Sequence, residues 1–376
     1  LTLIFDPILT LKFIPNIFYA FTMLLIYFIS QQLTRNREAS LVAAALAGFT
    51  PIIFAQYLND ANPMTLAVPL FLTTIYALLN LKERLPLLII AGVLLGLTST
   101  IIYLLLGGLF LYMLMLNIEK LKIEEEIGEA TFFLLFFTLW SSLVLYKEAF
   151  LARGLGAIWQ YIPHAVYHNY FSEFTLVGAV TTIGVLPLIF GGYAAYHALF
   201  ERRNKKAILI ASIAAAAAIT LFLRLIPLRA GMLILTCMLS ILAAQGLAIL
   251  FQYFKKTRVP TTRYLIVAIA LLFFIFASAL PALTQAANEA KDTPTSATIN
   301  TLQWARDNLD DARILATPKE RFLVAYEAQQ KTVIDRNYLL VKEADALFDE
   351  TEIMYRSHFA LPVLEHTQER GITHIL

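Results

Sequence analysis

The chain has 376 residues, of which 59% are hydrophobic and 15% are charged, and its mean hydropathy is +0.69. Soluble globular proteins are about half apolar, so this composition predicts a protein with many membrane-spanning segments. The net charge of +2 is too small to suggest a nucleic-acid partner. The single cysteine, Cys237, excludes an intrachain disulfide.

Apolar runs long enough to cross a hydrocarbon core, which takes about 20 helical residues, fill most of residues 1–283. Eight such runs lie at 14–33, 39–57, 63–80, 131–147, 175–199, 207–223, 229–253 and 264–283. The run 85–117 is too long for one span, and the polar Thr98–Thr100 divides it, so ten spans are predicted. We expect segment 118–130, "IEKLKIEEEIGEA", to form an amphipathic helix on the cytoplasmic surface.

Lysine and arginine gather in alternate connections between the predicted spans, and this distribution sets the orientation in the membrane. Fourteen lie in one set of connections and five in the other, with no violation of the alternation. The connections with fourteen basic residues are predicted to face the cytoplasm. The protein is predicted to lie in the cytoplasmic membrane of the cell. The segment with Asp6, the loop with Asp60 and the tail from residue 284 then lie outside.

The tail changes to shorter amphipathic elements and predicts a soluble α/β domain. Its ten lysines and arginines against fifteen aspartates and glutamates give a net charge of about −5, which anionic headgroups would repel. "TINTLQWARDNL" and "PKERFLVAYEAQ" are typical of helices, "RILAT", "KTVID" and "ITHIL" of strands, and two more helices are expected near 343–356 and 359–370. The predicted domains are a mainly α transmembrane bundle, 1–283, and an outward-facing α/β domain, 284–376. Because the chain begins with Leu1 rather than methionine and ends on a strand-like run, we expect a fragment at both ends.

Two carboxylates lie in the first connections predicted to face outside. Asp60, in "FAQYLNDANPMTLAVPLF", can stay ionised at the outer mouth, where it could bind a divalent cation or position an acceptor. The alternative is local: Asn62 caps the next span, Pro63 suits its first turn, and Asp60 merely favours that helix end by its charge. Asp6 precedes a proline and could equally be a turn residue.

Arg224 and Arg229, in "LFLRLIPLRAGM", occupy the shortest outward connection. Guanidinium groups match phosphate oxygens well, so both are candidates for binding a phosphate. The alternative is that each side chain only reaches the membrane interface. We favour phosphate binding for Arg229.

The outward loop 148–174 contains "IWQYIPHAVYHNYFSEF". His164 and His168 have the i, i+4 spacing that could hold a metal on a helix, and Glu173 is a further outward carboxylate. The aromatic residues of this loop favour an interface belt over a sugar platform. The chain contains no Walker loop, dinucleotide fingerprint or nucleophile elbow, so we do not expect it to hydrolyse ATP.

The arrangement resembles the GT-C membrane glycosyltransferases, notably archaeal proteins similar to oligosaccharyltransferase catalytic subunits and to protein mannosyltransferases. The runs "FDPILTLKFIPNIFYAFTMLLIYFISQQL" and "LVAAALAGFTPIIFAQYLND" are similar to the first two outer loops and their spans. "IPLRAGMLILTCMLSILAAQGLAIL" is similar to a late span that begins with arginine. "LQWARDNLDDARILATPKE", "KTVIDRNYLL" and "GITHIL" resemble the outward α/β domain that often follows.

The resemblance implies transfer of a sugar from a polyprenyl-phosphate or polyprenyl-diphosphate carrier to a protein or glycan acceptor on the outer face, with Mg²⁺ or Mn²⁺ as a candidate cofactor. It matches Asp60 to the second-loop acidic residue that helps hold a metal or the donor, and Arg229 to the arginine that contacts the lipid phosphate. Asp6 would be the catalytic residue, or that residue lies upstream of Leu1, because the family's first-loop acidic pair is not present. Glu173 stands roughly where oligosaccharyltransferases keep an external-loop glutamate, in a different surrounding pattern. Trp304, in "LQWARD", does not form their tryptophan-rich acceptor motif.

Two other classes of function stay open at this point. A transporter or lipid-carrier flippase could use the same outward charges as a vestibule, although such proteins place ionisable residues near mid-span or show internal repeats. An inactive GT-C-like scaffold would also account for the missing acidic pair.

Overall fold

A computed structural model of the chain describes residues 7–57, 62–154, 175–200, 204–256, 268–269, 272–291, 294–316, 320–333 and 344–376. The chain divides into two compact units. The first comprises Leu1–Ser141 with Phe174–Lys291, and the second comprises Ser142–Glu173 with Asp292–Leu376.

The helices up to residue 291 belong to the first unit, except that the end of the seventh and the whole of the eighth belong to the second. In chain order they are α1 Pro7–Thr34, α2 Arg37–Gly48, α3 Pro51–Tyr57, α4 Pro63–Leu78, α5 Leu81–Thr98, α6 Ile102–Ile118, α7 Glu125–Leu145, α8 Lys147–Arg153, α9 Leu176–Ile183, α10 Val185–Phe200, α11 Lys205–Phe222 and α12 Leu228–Lys256. A π-helical turn, Ile275–Ala279, leads into α13, Leu280–Lys291.

Asparagine side chains cap the N-termini of three of these helices. The Oδ1 atoms of Asn36, Asn62 and Asn204 accept backbone N–H groups at the beginnings of α2, α4 and α11, at distances of 3.2, 2.9 and 3.1 Å to the nearest donor. Each bond satisfies a donor that the helix itself leaves unpaired. The predicted cap at Asn62 is therefore confirmed, with Pro63 in the first turn.

Four helices of the described residues are long and apolar enough to cross a membrane: Phe13–Thr34, Glu125–Leu145, Lys205–Phe222 and Leu228–Tyr253. Two bent pairs, α2 with α3 at 65° and Val177–Ile183 with α10 at 84°, raise the number to six if each pair is one span. The chain thus has the helices of a membrane protein, while the predicted ten spans are not confirmed. The reason is length, because α4 and α6 have only 16 and 17 residues.

The sequence located one helix break correctly and missed others. As predicted, the run 85–117 is divided, with α5 ending at Thr98 and α6 beginning at Ile102. The runs 39–57 and 175–199, each predicted as one span, contain breaks at Phe49–Thr50 and at Gly184 that the sequence analysis did not predict. Gly184 has a φ of +87°, which an L side chain rarely adopts.

The predicted surface helix over residues 118–130 is wrong. Lys120 adopts a φ of 54° and the Leu121 amide bonds to the Leu116 carbonyl at 2.8 Å, which ends α6 in a Schellman motif. Residues 125–130 instead form the beginning of α7. Acidic residues favour the first turn of a helix, and Glu125 and Glu126 occupy that position.

Helix α12 is the central helix of the first unit. It packs against α1, α2, α3, α10 and α11, and 83% of the residues in its apolar stretch are buried. At the crossing with α10, Gly191 lies directly against the backbone of Leu239, where no side chain would fit.

The second unit contains a three-stranded parallel sheet, formed by the three segments that the sequence predicted as strands. Its strands are β1 Arg313–Leu315, β2 Lys331–Thr332 and β3 His374–Ile375, in the spatial order β2-β1-β3. Besides α8, its helices are α14 Ser296–Asn308, α15 Arg321–Leu323 continued by a π-helical turn Val324–Ala328, α16 Ala344–Arg356 and α17 Ala360–Glu369. Leu302 of α14, Ile314 of β1 and Val324 are buried together in its core.

Candidate functional site

Five of the seven predicted site residues lie outside the described residues. They are Asp6, Asp60, His164, His168 and Glu173. Arg224 and Arg229 are described. The elements that border Asp60 are described on both sides, since α3 ends at Tyr57 and α4 begins at Pro63.

Helix α3, which leads to Asp60, is anchored in the core on nearly all its sides. Tyr57, its last residue, is 1% exposed and shares a hydrogen bond of 3.0 Å with the Thr22 hydroxyl of α1. The Tyr19 hydroxyl donates to the Gly48 carbonyl at 2.6 Å, where α2 ends. These bonds fix the bend between α2 and α3, so the chain enters the Asp60 connection from a rigid support.

Gln56 is a polar residue of this helix that the sequence reasoning missed. Its side chain is only 3% exposed, and its Nε2 has no hydrogen-bond partner among the described residues. Leaving a buried amide unpaired costs about 1–3 kcal/mol, and such groups call for an explanation. The signal in the sequence is a glutamine inside an apolar run, four residues before Asp60.

Arg224 lies where α11 ends. The Arg224 amide bonds to the Leu221 carbonyl at 3.1 Å and the Leu225 amide to the Thr220 carbonyl at 2.9 Å, the two bonds of a Schellman motif. Arg224 therefore has a left-handed backbone with a φ of 58°, and its side chain is half-buried.

Arg229 is exposed and is the second residue of α12. The Pro227 carbonyl accepts the Gly231 amide at 3.0 Å, which closes the first turn of the helix. Gly231 packs so closely on Leu221 and Ile226 that the connection 223–227 is held between the two helix ends. The structure thus places both arginines at one compact corner, where α11 gives way to α12.

The start of α4 and this corner share one end of the bundle. Asn80 lies at the other end of α4, and its Oδ1 accepts a hydrogen bond from Lys206 Nζ, in the first turn of α11, at 2.9 Å. The end of α11 therefore lies on the same side as the start of α4, which Asn62 caps. The Asp60 connection leads directly into Asn62, so the chain reaches the end of the bundle that carries Arg224 and Arg229.

No protein-family profile matches the chain, and no curated protein is significantly similar to it in sequence. Solved structures of an archaeal oligosaccharyltransferase from Archaeoglobus fulgidus do match. The structure of AglB in complex with an inhibitory peptide and a dolichol-phosphate has a TM-score of 0.68 at 13% identity, over 97% of this chain and 58% of that chain. The complex with Zn and sulfate has a TM-score of 0.62 at 12% identity, over 97% and 55%.

A third structure, tethered with an acceptor peptide containing the NVT sequon, has a TM-score of 0.63 at 14% identity, over 97% of this chain and 57% of that chain. The chain thus spans a little over half the length of the solved chains that it matches. At these identities the similarity concerns the three-dimensional arrangement. The chain has the fold of an archaeal oligosaccharyltransferase, as the resemblance in its sequence predicted.

Proposed function

We propose that the chain is a membrane glycosyltransferase that moves a sugar from a polyprenyl-phosphate-linked donor to an acceptor on the outer face of the cytoplasmic membrane. The observation that carries this proposal is the match of 97% of the chain to a fold solved with a dolichol-phosphate and an inhibitory peptide. Those ligands belong to the other protein. For this chain they support a lipid-linked donor and a peptide among the acceptors to be tested.

Arg229 would bind the phosphate of the donor. It lies in the first turn of α12, a helix of 29 residues, where the positive end of the helix dipole and the guanidinium group both favour an anion. Arg224, five residues earlier, would add a second cation to the same phosphate. Together they would stabilise the charge that develops on the lipid phosphate as the sugar leaves.

Asp60 would act on the acceptor, either as the general base that removes its proton or by orienting it toward the sugar. Asp6, which we also place outside, is the second candidate for this base. Gln56, buried next to the Asp60 connection, would help to orient a polar group of either substrate through its amide.

A divalent cation, Mg²⁺ or Mn²⁺, fits the chemistry of the proposed ligands. Carboxylate oxygens and imidazole nitrogens, as in Asp60, Glu173, His164 and His168, are suitable ligands for such ions. The described part of the chain holds no group of three or more histidines, cysteines, aspartates or glutamates that could bind a metal. Asn62 uses its side-chain oxygen to cap α4. A bound cation would polarise the donor or the acceptor.

The proposed topology has ten spans, with the α/β domain of residues 284–376 on the same outer side as Asp60 and the two arginines. In this arrangement the donor phosphate and the acceptor meet at the outer membrane surface, and no nucleotide has to reach that side.

The test is transfer by the purified protein in proteoliposomes, with a panel of radiolabelled polyprenyl-phosphate and polyprenyl-diphosphate sugars and with peptide and glycan acceptors. We expect label in an acceptor together with release of the free polyprenyl phosphate or diphosphate. Label that crosses the bilayer while still attached to its lipid would favour a flippase. A protein that binds none of the donors and moves no label would favour a scaffold.

A further inference from the structure

Three cations from separate parts of the chain converge at the end of the bundle opposite Arg229. They are Arg35, which follows α1, Arg84 in the first turns of α5, and Lys206 in the first turn of α11. The side chains of Arg84 and Lys206 are half-buried, and that of Arg35 is exposed. In the sequence they lie in connections that are far apart, and only the fold brings them together.

Two of these cations are held in place by the end of α4 and by the short connection that follows it. The Arg84 guanidinium lies 3.9 Å from the centre of the Tyr76 ring, and its Nη1 donates to the Tyr76 carbonyl at 3.2 Å. Lys206 Nζ donates to Asn80 Oδ1 at 2.9 Å. Neither of these two acceptors carries a full negative charge, so the contacts fix the positions of the cations without neutralising them.

The acidic side chains nearby do not compensate this charge. Arg35 and Arg84 repel the Lys206 ammonium, while two carboxylates, Glu124 and Glu83, attract it, so three positive charges face two negative ones. Glu124 is moreover paired with Lys205, at 3.3 Å. The first turn of α11 contains no acidic residue, so the positive end of the helix dipole adds to the repulsion.

Apolar surface lies next to the cluster. Leu85, which directly follows Arg84, and Ile90 are 47% and 59% exposed. The cation cluster would therefore suit the phosphate of an amphipathic ligand, and the exposed apolar residues of α5 would suit its hydrocarbon chains.

We propose that Arg35, Arg84 and Lys206 bind the phosphate of an anionic membrane phospholipid, whose acyl chains lie along α5. The cluster faces the side of the membrane that the sequence predicts to be cytoplasmic, where anionic lipids attract basic side chains. This site is separate from the proposed donor site and does not depend on it.

The test compares the full chain in nanodiscs of phosphatidylglycerol and of phosphatidylcholine, by thermal unfolding and by native mass spectrometry of retained lipid. The variants are Lys206→Gln and Arg35→Gln. The matched control is Lys82→Gln, because the Lys82 ammonium lies at the same end but is paired with Glu126 at 3.0 Å. Inorganic phosphate added to phosphatidylcholine nanodiscs tests a soluble anion in place of the headgroup.

We expect phosphatidylglycerol to raise the unfolding temperature of the unmodified chain by a few degrees and to remain bound. Lys206→Gln and Arg35→Gln should lose more than half of this shift, whereas Lys82→Gln keeps it. In phosphatidylcholine alone, Lys206→Gln should be at least as stable as the unmodified chain, because the substitution removes repulsion. An unchanged shift in the two variants, an equal loss in the control, or the same stabilisation by inorganic phosphate would overturn the proposal.

Discussion

Arg224 occupies a backbone position that favours glycine. With a φ of 58° it is the left-handed residue that ends α11, and a side chain in that conformation costs about 1 kcal/mol relative to glycine. A strained arginine at the proposed phosphate site supports a role for its charge, since strain tends to be stored at functional sites.

Substitutions at Arg224 should separate backbone strain from charge. Arg224→Gly should raise the free energy of unfolding by roughly 0.5–1 kcal/mol and lower the rate of sugar transfer. Arg224→Ala should lower the rate to the same degree without the gain in stability. Thermal unfolding and transfer by the same preparations measure both effects. Full activity in Arg224→Gly would restrict this residue to a local structural role.

Glu350 and Arg370 join two helices of the second unit by a two-pronged ion pair. The Nε and Nη2 atoms of Arg370 each donate to a Glu350 carboxylate oxygen at 2.7 Å, which lowers the pKa of Glu350. Because the pKa is lowered in the folded state, the stabilisation is complete above the ordinary glutamate pKa of about 4.3. It is lost as the pH falls through the lowered value.

Acidification should therefore loosen the contact between α16 and α17. We expect amide hydrogen exchange in residues 344–369, corrected for intrinsic rates, to increase as the pH falls from about 5 to 3. Glu350→Gln should exchange faster already at pH 6 and respond less to acid. Glu352→Gln is the control, because the exposed ion pair of Glu352 with Arg356 stabilises little. An identical acid response in Glu350→Gln would contradict this account.

At the scale of the elements, the crossing of α10 and α12 depends on one of two adjacent glycines. A Cβ atom at Gly191 would collide with the backbone of Leu239, whereas a Cβ atom at Gly192 meets nothing within 4 Å. The two residues share the same helix and the same intrinsic cost of about 1 kcal/mol relative to alanine.

Gly191→Ala should therefore destabilise the protein, because the helices have to move apart, while Gly192→Ala should leave its stability unchanged or raise it by up to about 1 kcal/mol. The unfolding temperatures of the two variants in the same lipid provide the comparison. Equal effects would mean that the two helices do not cross at Gly191.

Element types were predictable wherever a local pattern decides them. The strands "RILAT", "KTVID" and "ITHIL" stand between turn residues and form β1, β2 and β3. The bends at Phe49–Thr50 and at Gly184 were missed because bent and straight helices have the same apolar composition. The start of α7 was missed because a run of charged residues suits both a surface helix and a helix N-terminus.

For the whole molecule, the sequence predicts which connections face which side of the membrane. The structure supplies contacts that agree with part of this grouping, since Lys206 bonds to Asn80 and Lys205 to Glu124 across three connections predicted to be cytoplasmic. Local sequence patterns could not predict which residues, distant in sequence, come together in space. The cluster of Arg35, Arg84 and Lys206 and the burial of Gln56 both depend on tertiary packing.

Cysteine labelling can map the sides directly, because the only native cysteine, Cys237, is buried. Leu225→Cys, in the exposed connection before α12, should react with an impermeant maleimide in intact cells. Lys120→Cys, between α6 and α7, should react only after permeabilisation. The reverse pattern would invert the proposed orientation, and labelling of both from outside would exclude it.

The most direct test of the central claim is the rate of sugar transfer from a polyprenyl-phosphate-linked donor by Asp60→Asn and Arg229→Ala, with Arg37→Ala at the opposite end of the bundle as the control. We expect Asp60→Asn to lower the rate by about 100-fold or more, because general-base catalysis contributes at least that factor. Arg229→Ala should lower it by roughly 10–100-fold through loss of charge-assisted hydrogen bonds, and Arg37→Ala should match the unmodified chain. If Asp60→Asn and Arg229→Ala transfer sugar as fast as the control, the proposed outward site is not where the chemistry takes place.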